Sequence, residues 1–181
     1  MNLDDAFALY DARGQESYGE AITQLAHALQ SGLQAEQAGA PPALVTAAVL
    51  HDIGHLLHRD SRAAHDNAVD DRHELIAGKA LAALFGSEVV GPVRLHVQAK
   101  RYLCHAEPGY RQALSETSQI SLRLQGGPMA ADEAALFRRS PHFDAALHLR
   151  RWDDAAKVPG LATPDLSHYR AIAAGCLAPQ V

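Results

Sequence analysis

"VLHDIGHLLHRD", residues 49–60, holds three histidines within eight residues, with an aspartate directly beside the first and valine, leucine and isoleucine between them. A buried imidazole needs a partner for each ring nitrogen, and a buried carboxylate needs a cation. A metal ion meets both needs. On a helix His51 and His55 share one face, and His58 follows a turn later. Asp52 is rotated about 100° from His51 at roughly 3.6 residues per turn, so it is free to reach a second ion as a bridging carboxylate. A His-Asp pair buried without a metal has no benefit that two apolar residues would not exceed.

Working outward, the pattern is helical throughout. Alternating β-branched runs are absent, and alanine and leucine dominate. Residues 22–37 form an amphipathic stretch closed by Gly39. Pro41 and Pro42 suit a helix start, and the apolar run from Leu44 continues to about His58. Residues 59–72, polar and rich in aspartate, read as a loop. Further helices are expected over 73–85, stopping at Gly86, and over 87–104, with Pro92 inside. Residues 115–127 end a helix on Gly126 and Gly127. Two more span 129–140 and 141–157, and a short one spans 167–177 after an irregular stretch. His27, His73 and His96 fall on three separate helices among apolar neighbours, the way helical bundles build metal sites. The expectation is an all-α, single-domain bundle over residues 1–181, with no internal repeat. His58, His65, His105, His142, His148 and His168 read as ordinary core or surface histidines.

Composition narrows the function. The chain is 48% hydrophobic and 20% charged, close to an average soluble protein. A net charge of -5 argues against nucleic acid or an anionic membrane as partner, so an anionic substrate needs a local positive site. The two cysteines, Cys104 and Cys176, suggest neither a zinc ribbon nor a disulfide framework. Nothing reads as a signal peptide or membrane span, and the expected setting is cytoplasmic.

The doublet at 51–52, with an earlier histidine and later ones on separate helices, resembles the HD-domain superfamily of metal-dependent enzymes, most of them phosphohydrolases. The ordered set "YGEAITQLAHALQ", "LLHDIGHLLH", "DDRHELIAG", "RLHVQAKRYL", "LQGGPM" and "RRWDDAAKVPG" is more specific. Over about residues 18–170 it resembles the HD-domain di-iron oxygenases of organophosphonate breakdown, and more distantly myo-inositol oxygenase.

That resemblance implies a site. His27, His51, Asp52 and Asp153 would hold one iron. Asp52 would bridge to a second, completed by His73 and His96. Asp153 and Asp154 are adjacent, and the tryptophan before the first makes Asp153 the match. Imidazole and carboxylate suit iron, and this ligand count leaves positions open for substrate and oxygen. Lys100 lies four residues after His96, Arg150 three before Asp153, and His55 one turn from His51, so these three would surround a phosphonate with charge-assisted bonds. Ser118 and Ser121 would add hydroxyl donors, and three residues apart on a helix they point the same way. Tyr18 and Glu20 would form a gate at the substrate side of the first iron, with Glu20 facing the cationic end of the substrate. Tyr18 matches with a one-residue shift in spacing against some relatives. Asp52 and Lys100 are the residues expected to carry catalysis.

The implied reaction is oxidative cleavage of a carbon–phosphorus bond in a 1-hydroxyphosphonate by dioxygen at a mixed-valent Fe(II)/Fe(III) pair, giving phosphate and a carboxylic acid. The expected substrates are 1-hydroxy-2-(trimethylammonio)ethylphosphonate, giving glycine betaine, and 2-amino-1-hydroxyethylphosphonate, giving glycine. The "AVDDRHE" segment looks more like the trimethylated branch, and Asp60, Asp66, Asp70 and Asp71 could face either amine. Two rivals keep the same ligands: a phosphohydrolase acting on a nucleotide or small phosphate ester, and a non-catalytic regulatory module. "SYGE" and "QGGPM" speak against the first. All six ligand positions being filled speaks against the second.

Overall fold

Asn2 opens the first helix with a reciprocal cap: its side chain accepts from the Asp5 amide at 2.8 Å, and Asp5 accepts from the Asn2 amide at 2.8 Å. This helix, α1 (Leu3–Arg13), buries Leu3, Ala6, Phe7 and Tyr10, an i, i+3, i+4, i+7 stripe. It lies in a stretch to which the sequence reading assigns no element, although both the cap and the stripe are present there.

The structure is a computed structural model that describes residues 1–18, 20–57, 70 and 72–179. Ten further helices follow α1. They are α2 (Gln24–Gln37), α3 (Pro42–Leu50), α4 (Ile53–Leu57), α5 (His73–Leu81) and α6 (Ser87–Ala106). After them come α7 (Tyr110–Ala113), α8 (Glu116–Leu124), α9 (Ala131–Phe137), α10 (Phe143–Ala155) and α11 (Leu166–Ala174). Among the described residues there is no strand; Ser17–Thr23 and Phe85–Leu177 are isolated bridges. The all-α expectation holds. No helix among the described residues is long and apolar enough to cross a membrane.

The single helix expected from Leu44 to His58 is instead two. The chain turns at His51 and Asp52, between α3 and α4. The His51 ring donates from Nδ1 to the Ala48 carbonyl at 2.8 Å, and the His55 amide bonds back only three residues, to Asp52, at 3.0 Å. The metal-type doublet therefore stands at a helix break rather than on a continuous face. Residues 58–69 and 71, which carry His58, His65, Asp60, Asp66 and Asp71, lie outside the described residues. Asp70 accepts from the Arg72 amide at 3.2 Å.

The long helix α6 is the centre of the packing, against α3, α5 and α10; α2 packs on α3 and α10. The larger core cluster runs through Val49, Leu50, Ile53, Leu56, Ala77, Leu81 and Val93. A smaller one, around Ala99, Tyr102, Phe137 and Ala146, lies at the other end of α6.

Candidate metal centre

Four imidazoles and two carboxylates converge between α2, the α3–α4 break, α5, α6 and α10. His27, His51, Asp52, His73, His96 and Asp153 are all buried. Their donor atoms form overlapping groups, His27 with His51 and Asp153, and His51 with Asp52 and His96; a third joins Asp52 and His73 with His55.

Asp52 divides its two oxygens between two histidine pairs. Oδ2 lies 3.7 Å from His27 Nε2 and 3.4 Å from His51 Nε2. Oδ1 lies 3.4 Å from His73 Nε2 and 3.5 Å from His96 Nε2. On the first side Asp153 completes the group, its Oδ1 3.4 Å from His27 Nε2 and its Oδ2 3.9 Å from His51 Nε2.

The ring orientations are set from behind. His27, His51 and His96 direct Nδ1 at the carbonyls of Ala156, Ala48 and Val93, at 2.9, 2.8 and 2.7 Å. A carbonyl only accepts, so Nδ1 carries the proton and the Nε2 lone pair faces inward, the tautomer of a metal ligand. Inside the cluster the nitrogens face one another, His27 to His51 at 3.3 Å and His73 to His96 at 3.1 Å. Two lone pairs so close need a cation or a proton between them. Asp52 Oδ1 is fully buried and has no hydrogen-bond partner among the described residues. This donor set fits metal ions, and the orphaned oxygen is the feature that a metal explains.

Charge in the cluster follows the same logic. Burial opposes the negative form of Asp52, but His51, His96 and His73 hold its carboxyl well below the usual range. For Asp153 burial is likewise outweighed, chiefly by Arg150 and then by His51 and His27. Burial pushes His27 down to about 4. His51, also buried, is nonetheless raised to about 9 by Asp52 and Asp153. Two ionised carboxylates thus demand positive charge at the centre.

The cationic residues line one side. Lys100 is buried on α6, and its Nζ donates to Ser121 Oγ at 2.7 Å. Burial, then Arg150, lowers it to about 7. Arg150 is buried on α10; it donates to Asp153 Oδ2 at 2.5 Å and to Asp154, and its Nη2 lies 3.5 Å from Ser118 Oγ. Asp153 faces the histidines, whereas Asp154 accepts from Arg150 and from the Tyr110 hydroxyl. His55 stacks on His73, ring centroids 4.0 Å apart.

Tyr18 and Glu20 arrive on a loop, not on an N-terminal extension of α2. Thr23 caps α2 by accepting from the Ala26 amide at 3.1 Å, and the Tyr18 amide bonds to the Ile22 carbonyl at 3.2 Å. The Tyr18 ring stacks on His27 at 3.8 Å, and its hydroxyl lies 3.4 Å from Asp153 Oδ1. Glu20 Oε1 accepts from Ser115 Oγ at 2.5 Å. His105, His148 and His168 are exposed, His142 is half-buried, and none joins the cluster.

Four residues near the site were not singled out from sequence. Gly54 allows α4 to touch the start of α5. Tyr110 closes the Arg150–Asp154 group, with Arg150 Nε 3.2 Å from its hydroxyl. Ser115 is the N-cap of α8 and Lys157 follows α10. Only Ser115 had a local signal, as a serine opening a helical run.

No family model matches the chain. It is 45% identical over 172 residues to the hydroxymethylphosphonate dioxygenase of Gimesia maris, an alignment covering 94% of this chain and 86% of that protein. It is 41% identical over 162 residues to the [1-hydroxy-2-(trimethylamino)ethyl]phosphonate dioxygenase (glycine-betaine-forming) of Leisingera caerulea, covering 89% and 83%. At these identities over most of both chains, the protein belongs to the family of phosphonate dioxygenases.

Proposed function

We propose that the chain is a non-heme di-iron oxygenase that cleaves the carbon–phosphorus bond of a 1-hydroxyphosphonate. His27, His51, Asp52 and Asp153 would hold one iron, and Asp52, His73 and His96 the other. The observation that carries the two-ion reading is the division of the Asp52 oxygens between two histidine pairs, with one oxygen buried and otherwise unpartnered. The dioxygenase names of two relatives support oxygen as co-substrate. The reaction balances as one hydroxyphosphonate plus one dioxygen giving one carboxylic acid and one phosphate. The named substrates of the relatives would yield formate and glycine betaine respectively.

When bound, iron supplies the activation of dioxygen. The protein supplies position and charge. Lys100 and Arg150 set two cations beside the cluster, and Ser118, Ser121 and His55 add donors for the remaining phosphonate oxygens. Tyr18 stacks over His27, and Glu20 follows on the same loop, bonded to Ser115.

The test is oxygen dependence. Iron-loaded protein is incubated with hydroxymethylphosphonate, 1-hydroxy-2-(trimethylammonio)ethylphosphonate or 2-amino-1-hydroxyethylphosphonate, in air and under argon. Phosphate released only in air, with oxygen from the gas in the products, is the expected result. Cleavage of simple phosphate esters under argon, with no phosphate from any hydroxyphosphonate in air, would assign the site to a phosphohydrolase.

A further inference from the structure

Gln30 is a buried amide on α2, three residues after His27 on the same helix. It is neither a ligand nor a contact of the cationic residues. Its side chain instead pairs with the main chain of one distant residue. Nε2 donates to the Val158 carbonyl at 2.8 Å, and the Val158 amide donates to Oε1 at 2.9 Å. The two bonds use one donor and one acceptor of the primary amide, so they fix its orientation. Val158 stands two residues after Ala156, whose carbonyl receives His27 Nδ1 at 2.9 Å.

We propose that Gln30 is a positioning residue of the metal centre. By clamping the chain at Val158 it keeps the Ala156 carbonyl on His27 Nδ1, and so sets the affinity for the ion that His27, His51, Asp52 and Asp153 would hold. This rests on the two-ion reading above.

His27 needs such a clamp where its neighbours do not. The rings of His51 and His96 bond to Ala48 and Val93, carbonyls three residues back in the chain, so local backbone geometry holds them. Of these three rings, only His27 takes its carbonyl from a distant segment, 129 residues away. That segment is the exit of α10. The Ala156 amide still bonds back to the Asp153 carbonyl at 3.3 Å, but residues 158–162 are all exposed, and Val158 itself is 47% exposed. Side-chain packing therefore does not fasten the chain beyond Ala156; the main chain of Val158, seated on Gln30, does. Because Gln30 and His27 share α2, the clamp and the ligand move as one body. Displacing the exit of α10 would loosen His27 through the Ala156 carbonyl and Asp153 through the Ala156 amide, both in the first ligand group. A carbonyl behind a ligating imidazole fixes the ring and its tautomer and makes the inward nitrogen more basic, so losing it weakens metal binding.

Gln30→Met keeps the length of the side chain and removes both bonds. Fe(II) affinity is measured under argon by competition with a chelator, on wild type and variant. One of the two iron equivalents should bind roughly ten- to a hundredfold more weakly in the variant, the usual effect of removing a group behind a ligand, and the other should be unchanged. In a His73→Ala background the remaining ion should weaken by the same factor, which places the effect on the His27 side. Nitrogen NMR of the metal-free protein supplies a second readout: the His27 Nδ1–H should exchange with water faster in Gln30→Met than in wild type. Gln30→Glu, which keeps the acceptor for the Val158 amide but loses the donor when ionised, should shift both readouts the same way and replaces the first variant should that fold poorly. Unchanged iron affinity and unchanged Nδ1–H exchange would overturn the proposal. So would a lower thermal midpoint of the metal-free variant with full iron affinity, since Gln30 would then serve the fold alone. A wild type that binds a single ion, weakened by Gln30→Met, would remove the two-ion reading and leave the clamp standing. Phosphate release in air, assayed separately, reads the oxygenase assignment, and its absence beside the expected affinity change would remove the oxygenase and keep the role of Gln30.

Discussion

Gly54 lies directly against His73: a Cβ at position 54 would stand 2.1 Å from the His73 carbonyl oxygen. The glycine in "HDIGH" therefore has a site role without touching the site. It lets the start of α4 close on His73, the first residue of α5, whose Nε2 lies 3.4 Å from Asp52 Oδ1. The Arg72 backbone just before it is left-handed, with φ 49°, the only such non-glycine among the described residues.

Gly54→Ala should therefore push His73 away from Asp52 while leaving His27 and His51 in place. Elemental analysis of the purified variant should find about half the wild-type iron, following the usual sensitivity of metal affinity to groups behind the ligands. Full iron content would show that α5 can retreat without moving the ligand.

Asp52 should matter more than any histidine. It is the one residue whose two oxygens face both histidine pairs, so Asp52→Ala would remove a charged donor from each ion. The expected iron content is near none. His73→Ala, by contrast, should lose about half, since its Nε2 lies on the Asp52 Oδ1 and His96 side of the cluster. Iron in Asp52→Ala at the wild-type level would exclude the bridge.

Much of this was legible in sequence, for reasons that can be located. The helical class followed from i, i+3, i+4 spacing, and the end of α8 from Gly126 and Gly127, whose φ values of 93° and 74° are those glycine adopts freely. The break at 51–52 was not legible. No proline marks it, and the apolar run continues through it. The Glu20–Ser115 and Lys157–Ser118 contacts join residues far apart in the chain, so no local pattern encodes them. Lys100 was readable only through its spacing from His96; its burial was not.

Lys100 should make binding pH-dependent. Its ammonium is lowered to about 7 by burial and then by Arg150. Below that pH it is charged and offers a charge-assisted bond; above it the amine is neutral and the bond weakens. With substrate binding limiting, kcat/KM for a hydroxyphosphonate should fall as pH rises through about 7, because this ratio reports the free enzyme. Lys100→Met should lower kcat/KM roughly ten- to a hundredfold, the value of one charged hydrogen bond of about 1.5–3 kcal/mol, and should flatten the profile relative to wild type. Iron content should not change. A profile in the variant that still follows the wild type would assign the titration elsewhere.

Asp154 should act as a positioning residue, through Arg150. The guanidinium donates to Asp153 from Nη1 and to Asp154 from Nη2, while Nε points at the Tyr110 hydroxyl, which itself donates to Asp154. Arg150 is thus held on three sides, and its planar fork has one orientation relative to Ser118. Asp154→Asn keeps the shape and removes the charge, and Tyr110→Phe removes one acceptor. Each should raise KM for the phosphonate by about tenfold, the scale of one hydrogen bond to a charged group, with a smaller effect on kcat. Iron content and thermal midpoint should remain close to wild type, because Asp153 keeps its place facing His27. Asp154→Glu should recover part of the loss, since it restores a carboxylate within reach of the guanidinium. Were Asp154→Asn to lose iron together with affinity, its role would be to hold Asp153, and the Arg150 reading would fail.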